Sequence, residues 1–132
     1  MAVGTTSQKY SQIVFARIQK NIERENDINV LRRYKSLCKR SGGILRTVGL
    51  VQYLAFLKAK SKKYEYYKML LNDLTAESGN GDNADAFLQK VYKMSLSDYM
   101  QLTRTVLLLL QWHKRVSDIL IDGTCESGED DQ

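Results

Sequence analysis

The stretch SLSDYMQLTRTVLLLLQWHKRVSDILI, residues 95–121, decides the fold class. Tyr99, Leu102, Val106, Leu109, His113, Val116 and Leu120 recur at three- and four-residue steps, the period of one helix face. Leu107, Leu108, Leu110, Trp112 and Ile119 broaden that seam, leaving a narrow polar stripe of Gln101, Arg104, Gln111, Arg115 and Asp118. Ser95, Ser97 and Asp98 supply capping chemistry, so a long helix is predicted over about 97–121.

Working back from that helix, the same period recurs and no convincing two-residue alternation is found. A short helix is expected over about 84–94. Before it, Ser78-Gly79-Asn80-Gly81-Asp82-Asn83 favours turns and reads as the clearest loop. A helix over about 62–77 presents Tyr66, Tyr67, Leu70, Leu71 and Leu74, and its predecessor, over about 44–60, is apolar around most of its circumference. Such a helix belongs deep in a fold or in a subunit contact. Gly49 in its middle should cost about 1 kcal/mol relative to Ala, which suggests close approach of another backbone. Asp27 reads as the N-cap of an earlier helix carrying Ile28, Leu31, Tyr34 and Cys38, expected to end at Ser41-Gly42-Gly43. A first helix over about 7–24 places Tyr10, Ile13, Val14, Ile18 and Ile22 along one face. The expectation is an all-α, compact single-domain helical bundle of about five or six helices over residues 1–121, with a flexible start at 1–6 and a disordered acidic tail at 122–132.

The chain of 132 residues has 43% hydrophobic residues, enough for a core, and aliphatic runs well short of the roughly 20 residues that span a bilayer. The start, MAVGTTSQKY, has no apolar signal core, and Cys38 and Cys125 form neither a disulfide framework nor a zinc motif. A cytoplasmic location and no membrane partner are expected. The net charge of +5 conceals an asymmetry, because residues 122–132 carry five acids and no base. No acid occurs at positions 28–64, where Arg32, Arg33, Lys35, Lys39, Arg40, Arg46, Lys58, Lys60, Lys62 and Lys63 all fall. Solubilising faces ordinarily intersperse both signs, so this interval reads as a phosphate-facing surface. Lys114 and Arg115 form a second basic group.

Catalysis finds little support. His113 is the only histidine and, on an apolar seam, reads as a hydrogen-bonded core residue. Asp82 and Asp85 read as helix capping, Glu23, Glu25 and Asp27 as solvated charge. No catalytic residue, metal site, cofactor or small-molecule substrate is expected. Tyr34, Tyr53, Tyr64, Tyr66 and Tyr67 could stack on bases, but at helical spacing core packing is the stronger reading. A helix-turn-helix with its turn at residues 41–43 is disfavoured, since the apolar run Leu50 to Leu57 offers base edges almost nothing.

Two motifs carry a family resemblance. Gly49-Leu50, Gln52, Leu54-Ala55-Phe56 and the end bearing Lys58 and Lys60 form the first. Tyr99, Leu102 and Thr103, the leucine-rich middle, Trp112 and Lys114-Arg115 form the second. In this order they resemble the small subunit of the type III-B CRISPR–Cas (Cmr) effector complex, with departures at Arg104, Gly43 and Val48. The resemblance implies a non-catalytic helical subunit that acts in antiviral defence. Its partners would be other Cmr complex subunits, copies of itself stacked in a filament, and the guide RNA and target RNA. The side chains expected to meet phosphate are Arg32, Lys35, Lys39, Arg40, Arg46, Lys58, Lys60, Lys62 and Lys63, with Lys114 and Arg115. The alternative is a stand-alone helical protein that coats nucleic acid.

Overall fold

The computed structural model describes residues 6–124 as six helices, with no strand among them. They are α1 (Thr6–Arg24), α2 (Ile28–Val48), α3 (Leu50–Ser61), α4 (Glu65–Glu77), α5 (Ala84–Lys93) and α6 (Leu96–Leu120). Of the flexible start expected at 1–6, residues 1–5 lie outside the described residues and Thr6 opens α1; of the acidic tail expected at 122–132, residues 125–132 lie outside them. Side-chain caps set three of the helix starts. The Asp27 carboxylate accepts the Asn29 N–H at 2.9 Å, the Asn83 side chain accepts from Ala86 at 3.0 Å, and the Ser95 hydroxyl accepts from Asp98 at 3.2 Å.

The helix boundaries correct the sequence reading at two glycine sites. α2 does not stop at Ser41-Gly42-Gly43. It runs on to Val48, because Leu37, Cys38, Ser41 and Leu45 lie along one buried face and their packing outweighs the helix cost of two glycines. The break comes instead at Gly49, whose backbone stands at φ 87 and ψ 166, a region that glycine alone adopts readily. Its N–H closes α2 on the Leu45 carbonyl, and its own carbonyl accepts from Tyr53 to open α3, both at 2.9 Å. The neighbour that approaches Gly49 is a side chain, not a backbone. The Tyr99 hydroxyl of α6 accepts the Val51 N–H at 3.2 Å and so caps α3, which has no cap of its own. α3 and α4 are separate helices, divided at Lys62 to Tyr64.

α4 is the most enclosed element, burying Tyr66, Tyr67, Met69, Leu70, Leu71 and Leu74 among the helices around it. α6 packs along both α1 and α2, while α3 and α5 cover the other side of α4. Tyr34, Tyr53 and Tyr67 are fully buried and Tyr66 nearly so, and Tyr64, Tyr66 and Tyr67 lie ring against ring. The tyrosines therefore belong chiefly to the core and do not form a platform for bases. No helix among the described residues is long and apolar enough to cross a membrane.

Candidate nucleic-acid interface

The basic candidates separate into two surfaces. On α2, residues 35, 39, 42 and 46 fall within one narrow stripe of a 3.6-residue helix, as do residues 111, 115 and 118 on α6. The two stripes run side by side and enclose two adjoining depressions. One, of about 310 Å³, is lined by Lys39, Gly42, Gly43, Arg46, Gln111, Lys114 and Arg115 among others. The second, of about 180 Å³, lies between Lys35, Lys39, Lys114, Arg115 and Asp118. Gly42 and Gly43, which fail to end α2, instead leave a bare helix surface there. The Arg46 guanidinium lies back over Gly42, at 3.4 Å from where a Cβ would stand. The Arg115 guanidinium sits over the Trp112 ring at 5.2 Å, which fixes a flexible cation at the lip.

Lys58, Lys60, Lys62 and Lys63 stand elsewhere, along α3 and at the α3–α4 corner. Lys58 pairs with Asp85 of α5 at 3.0 Å, while Lys60 and Lys63 lie 5.9 and 5.4 Å from the Tyr64 ring centre. An interval free of acids in sequence is thus not free of them in space. Arg32 and Lys35 have structural employment too. The Arg32 guanidinium donates to the Asp122 carbonyl at 3.0 Å and the Lys35 ammonium to the Ile121 carbonyl at 2.8 Å, holding the end of α6 against α2. Arg40 is half-buried, and its charge acts on the buried Tyr53 hydroxyl. Lys39, Arg46, Lys114 and Arg115 remain as the exposed cations of one groove.

Beneath this groove lies a charged network in the core. Asp73 of α4 is fully buried and accepts from Arg17 at 3.0 and 3.1 Å, from Asn21 at 3.0 and 3.2 Å, and from the Tyr34 hydroxyl. His113 is fully buried as well. Its Nε2–H donates to the Glu77 carboxylate at 2.8 and 2.9 Å, while its Nδ1 meets the Tyr34 hydroxyl at 3.2 Å and lies 3.9 Å from Cys38 Sγ. Burial by itself lowers the His113 pKa, but the Glu77 carboxylate overrides it and holds the imidazole well above its ordinary range. Burial raises the Glu77 carboxyl, with the His113 charge opposing. Burial, then the Asp73 charge, also raises the Tyr34 hydroxyl well above its ordinary value. With His113 charged, both ring nitrogens donate, the Tyr34 O–H passes its proton bond to Asp73, and two cations face two anions. The sequence reading found His113 but missed Asp73 and Glu77. Their signal was a pair of carboxylates four residues apart on one helix, with Asp73 set among Leu70, Leu71 and Leu74.

This network holds four helices in register, and its Arg17 and Asn21 also line a depression of about 190 Å³ between α1 and α4. No cluster of metal-ligating side chains occurs among the described residues.

Residues 6–120 match the family model described as CRISPR-associated protein Cas_Cmr5. A curated relative, the CRISPR system Cmr subunit Cmr5 of Thermus thermophilus, is 29% identical over 118 residues, covering 89% of this chain and 97% of that protein. The crystal structure of a CRISPR-associated Cmr5 family protein from the same organism superposes with a TM-score of 0.76 at 26% identity, over 90% of this chain and 100% of the other.

Proposed function

This chain belongs to the Cmr5 family of CRISPR-associated proteins, and from that premise we propose that it is a non-catalytic, RNA-contacting subunit of a type III-B effector ribonucleoprotein. It works in the cytoplasm, in copies stacked beside the other Cmr subunits along guide RNA and target RNA. The observation that carries the RNA contact is the α2–α6 groove, where Lys39, Arg46, Lys114 and Arg115 converge from two helices. Such a groove attracts a phosphate backbone and is indifferent to base identity. Lys58 to Lys63 serve as a secondary basic surface, since Lys58 is already paired.

The test is charge reversal inside the assembled complex. K39E/K114E/R115E should reduce retention of guide and target RNA, and the slope of log affinity against log salt should fall by about three, one for each lost contact. K62E/K63E should have a smaller effect. A groove variant that holds RNA with an unchanged salt slope would overturn this assignment.

A further inference from the structure

Gly42 and Gly43 stand in the interior of α2, where glycine lowers helix stability. Backbone conformation does not call for them. Among the described residues the glycines with a positive φ are Gly49, Gly79, Gly81 and Gly123, so Gly42 and Gly43 keep a geometry open to any residue. Packing does not call for them either. Outside the helix backbone, a Cβ at Gly43 would meet nothing within 4 Å, and one at Gly42 would meet only the flexible end of Arg46, at 3.4 Å. Both glycines line the larger depression of the α2–α6 groove, and that space is what side chains there would fill.

The space is larger than phosphate contact needs. At about 310 Å³ it far exceeds the few atoms of one phosphate and falls at the lower end of small-molecule sites, roughly 300–1,000 Å³. Its lining changes character from floor to lip. The buried Cys38 and Leu110, with the bare glycines, form an apolar floor, and Gln111 adds an amide. Lys39, Lys114 and Arg115 line the smaller depression too, so three cations meet where the two depressions join. Arg46 stands about two turns along α2 from Lys39. An apolar seat between two cationic positions matches a nucleoside flanked by phosphates.

We propose that this depression seats one unpaired nucleotide, with its nucleoside over Gly42 and Gly43 and the phosphates on either side held by the Lys39, Lys114 and Arg115 cluster and by Arg46. The phosphate contacts rest on the function proposed above; the nucleoside seat goes beyond it. The missing side chains let the ligand approach the α2 backbone, which accounts for two glycines that neither conformation nor packing explains. A paired base is held in its stack and cannot enter, so the seat selects single-stranded over double-stranded RNA.

Shape can be tested apart from charge in the full-length protein. Gly43→Leu keeps every cation, fills the depression and removes a helix-weakening glycine, so its melting temperature should equal or exceed that of the wild type. Its affinity for a labelled single-stranded RNA of mixed sequence should fall roughly tenfold with the salt slope unchanged. Its affinity for inorganic polyphosphate, which has phosphates and no nucleoside, should stay the same. Gly43→Ala, which adds one methyl, should lie between wild type and Gly43→Leu. K39E/K114E/R115E should weaken both ligands and lower the slope. Trp112, the single tryptophan, lies under Arg115 and reports on the lip by its emission. A response to adenosine monophosphate that Gly43→Leu abolishes supports the seat with a free nucleotide as a sufficient ligand; a response to the RNA alone supports it with a strand as the source. RNA binding untouched by Gly43→Leu, or an equal loss of polyphosphate, would overturn the nucleoside seat while leaving the phosphate contacts in place. Charge reversal without effect on either ligand would overturn both.

Discussion

The groove and the core network are both built from charged side chains, but the core matches its charges group by group and the groove does not. Arg17 faces Asp73 and His113 faces Glu77, with Tyr34 linking the two pairs. A buried charge without a partner loses its hydration and gains nothing, so this quartet persists only as a set. In the groove, solvent screens Lys39, Arg46, Lys114 and Arg115 from one another, and their mutual repulsion is tolerable. Unbalanced charge survives only where water, or a ligand, supplies the other sign. The contrast marks the core as a structural device and the groove as a surface whose charge is left for solvent or a ligand to balance.

Removing one member of the quartet should produce the largest effect. His113→Leu leaves Glu77 buried without a cation and should cost about 3–5 kcal/mol in chemical denaturation. The double variant H113L/E77L removes both charges and should recover a substantial part of that loss. A double variant as unstable as the single one would break the argument that matching holds the network together.

Changing pH should have a smaller and graded effect. The folded pKa values of His113 and Glu77 both lie above their ordinary values, so stability declines as pH rises through either. For Glu77 the loss begins just above the ordinary carboxylate range. For His113 the stabilisation is fully present below about pH 6.5 and is lost as pH rises through the elevated folded value, on the alkaline side. A thermal-melting profile should therefore fall at alkaline pH in the wild type, and this limb should be absent from H113L. An identical alkaline limb in both proteins would assign it to other groups.

The smallest effect on folding should come from the groove. Single reversals of Lys39 or Lys114 should change stability by no more than about 0.5 kcal/mol, since both are exposed and neither supports the core. Destabilisation on the scale of H113L would erase the distinction between the two regions.

The fold was legible where local chemistry and packing agree. The long helix, the glycine-rich loop before α5 and the Asp27 and Ser95 caps all follow from side chains within a few positions of one another. Gly42-Gly43 and Gly49 exchanged roles because the deciding facts were distant: the buried face that carries α2 onward and the Tyr99 hydroxyl that receives α3. The site was legible as a composition but not as a place. Lys39 and Lys114 are 75 positions apart in sequence, and only the packing of α6 on α2 joins them. That packing also splits Lys58 to Lys63 from the α2 cations with which sequence proximity had grouped them. Asp73 and Glu77 escaped notice for the same reason, since Arg17, Tyr34 and His113 approach them from three other helices.

The dependence of so many contacts on α6 bears on how the chain is made. Until that helix emerges from the ribosome, α1 and α2 lack the surface that covers them, Glu77 lacks its cation, and α3 lacks the hydroxyl that closes its first turn. At about 5–20 residues per second, the 25 residues of α6 take roughly one to five seconds to synthesise. Through that interval the nascent chain exposes an apolar seam, and the protein acquires its native core only after translation of α6 is complete.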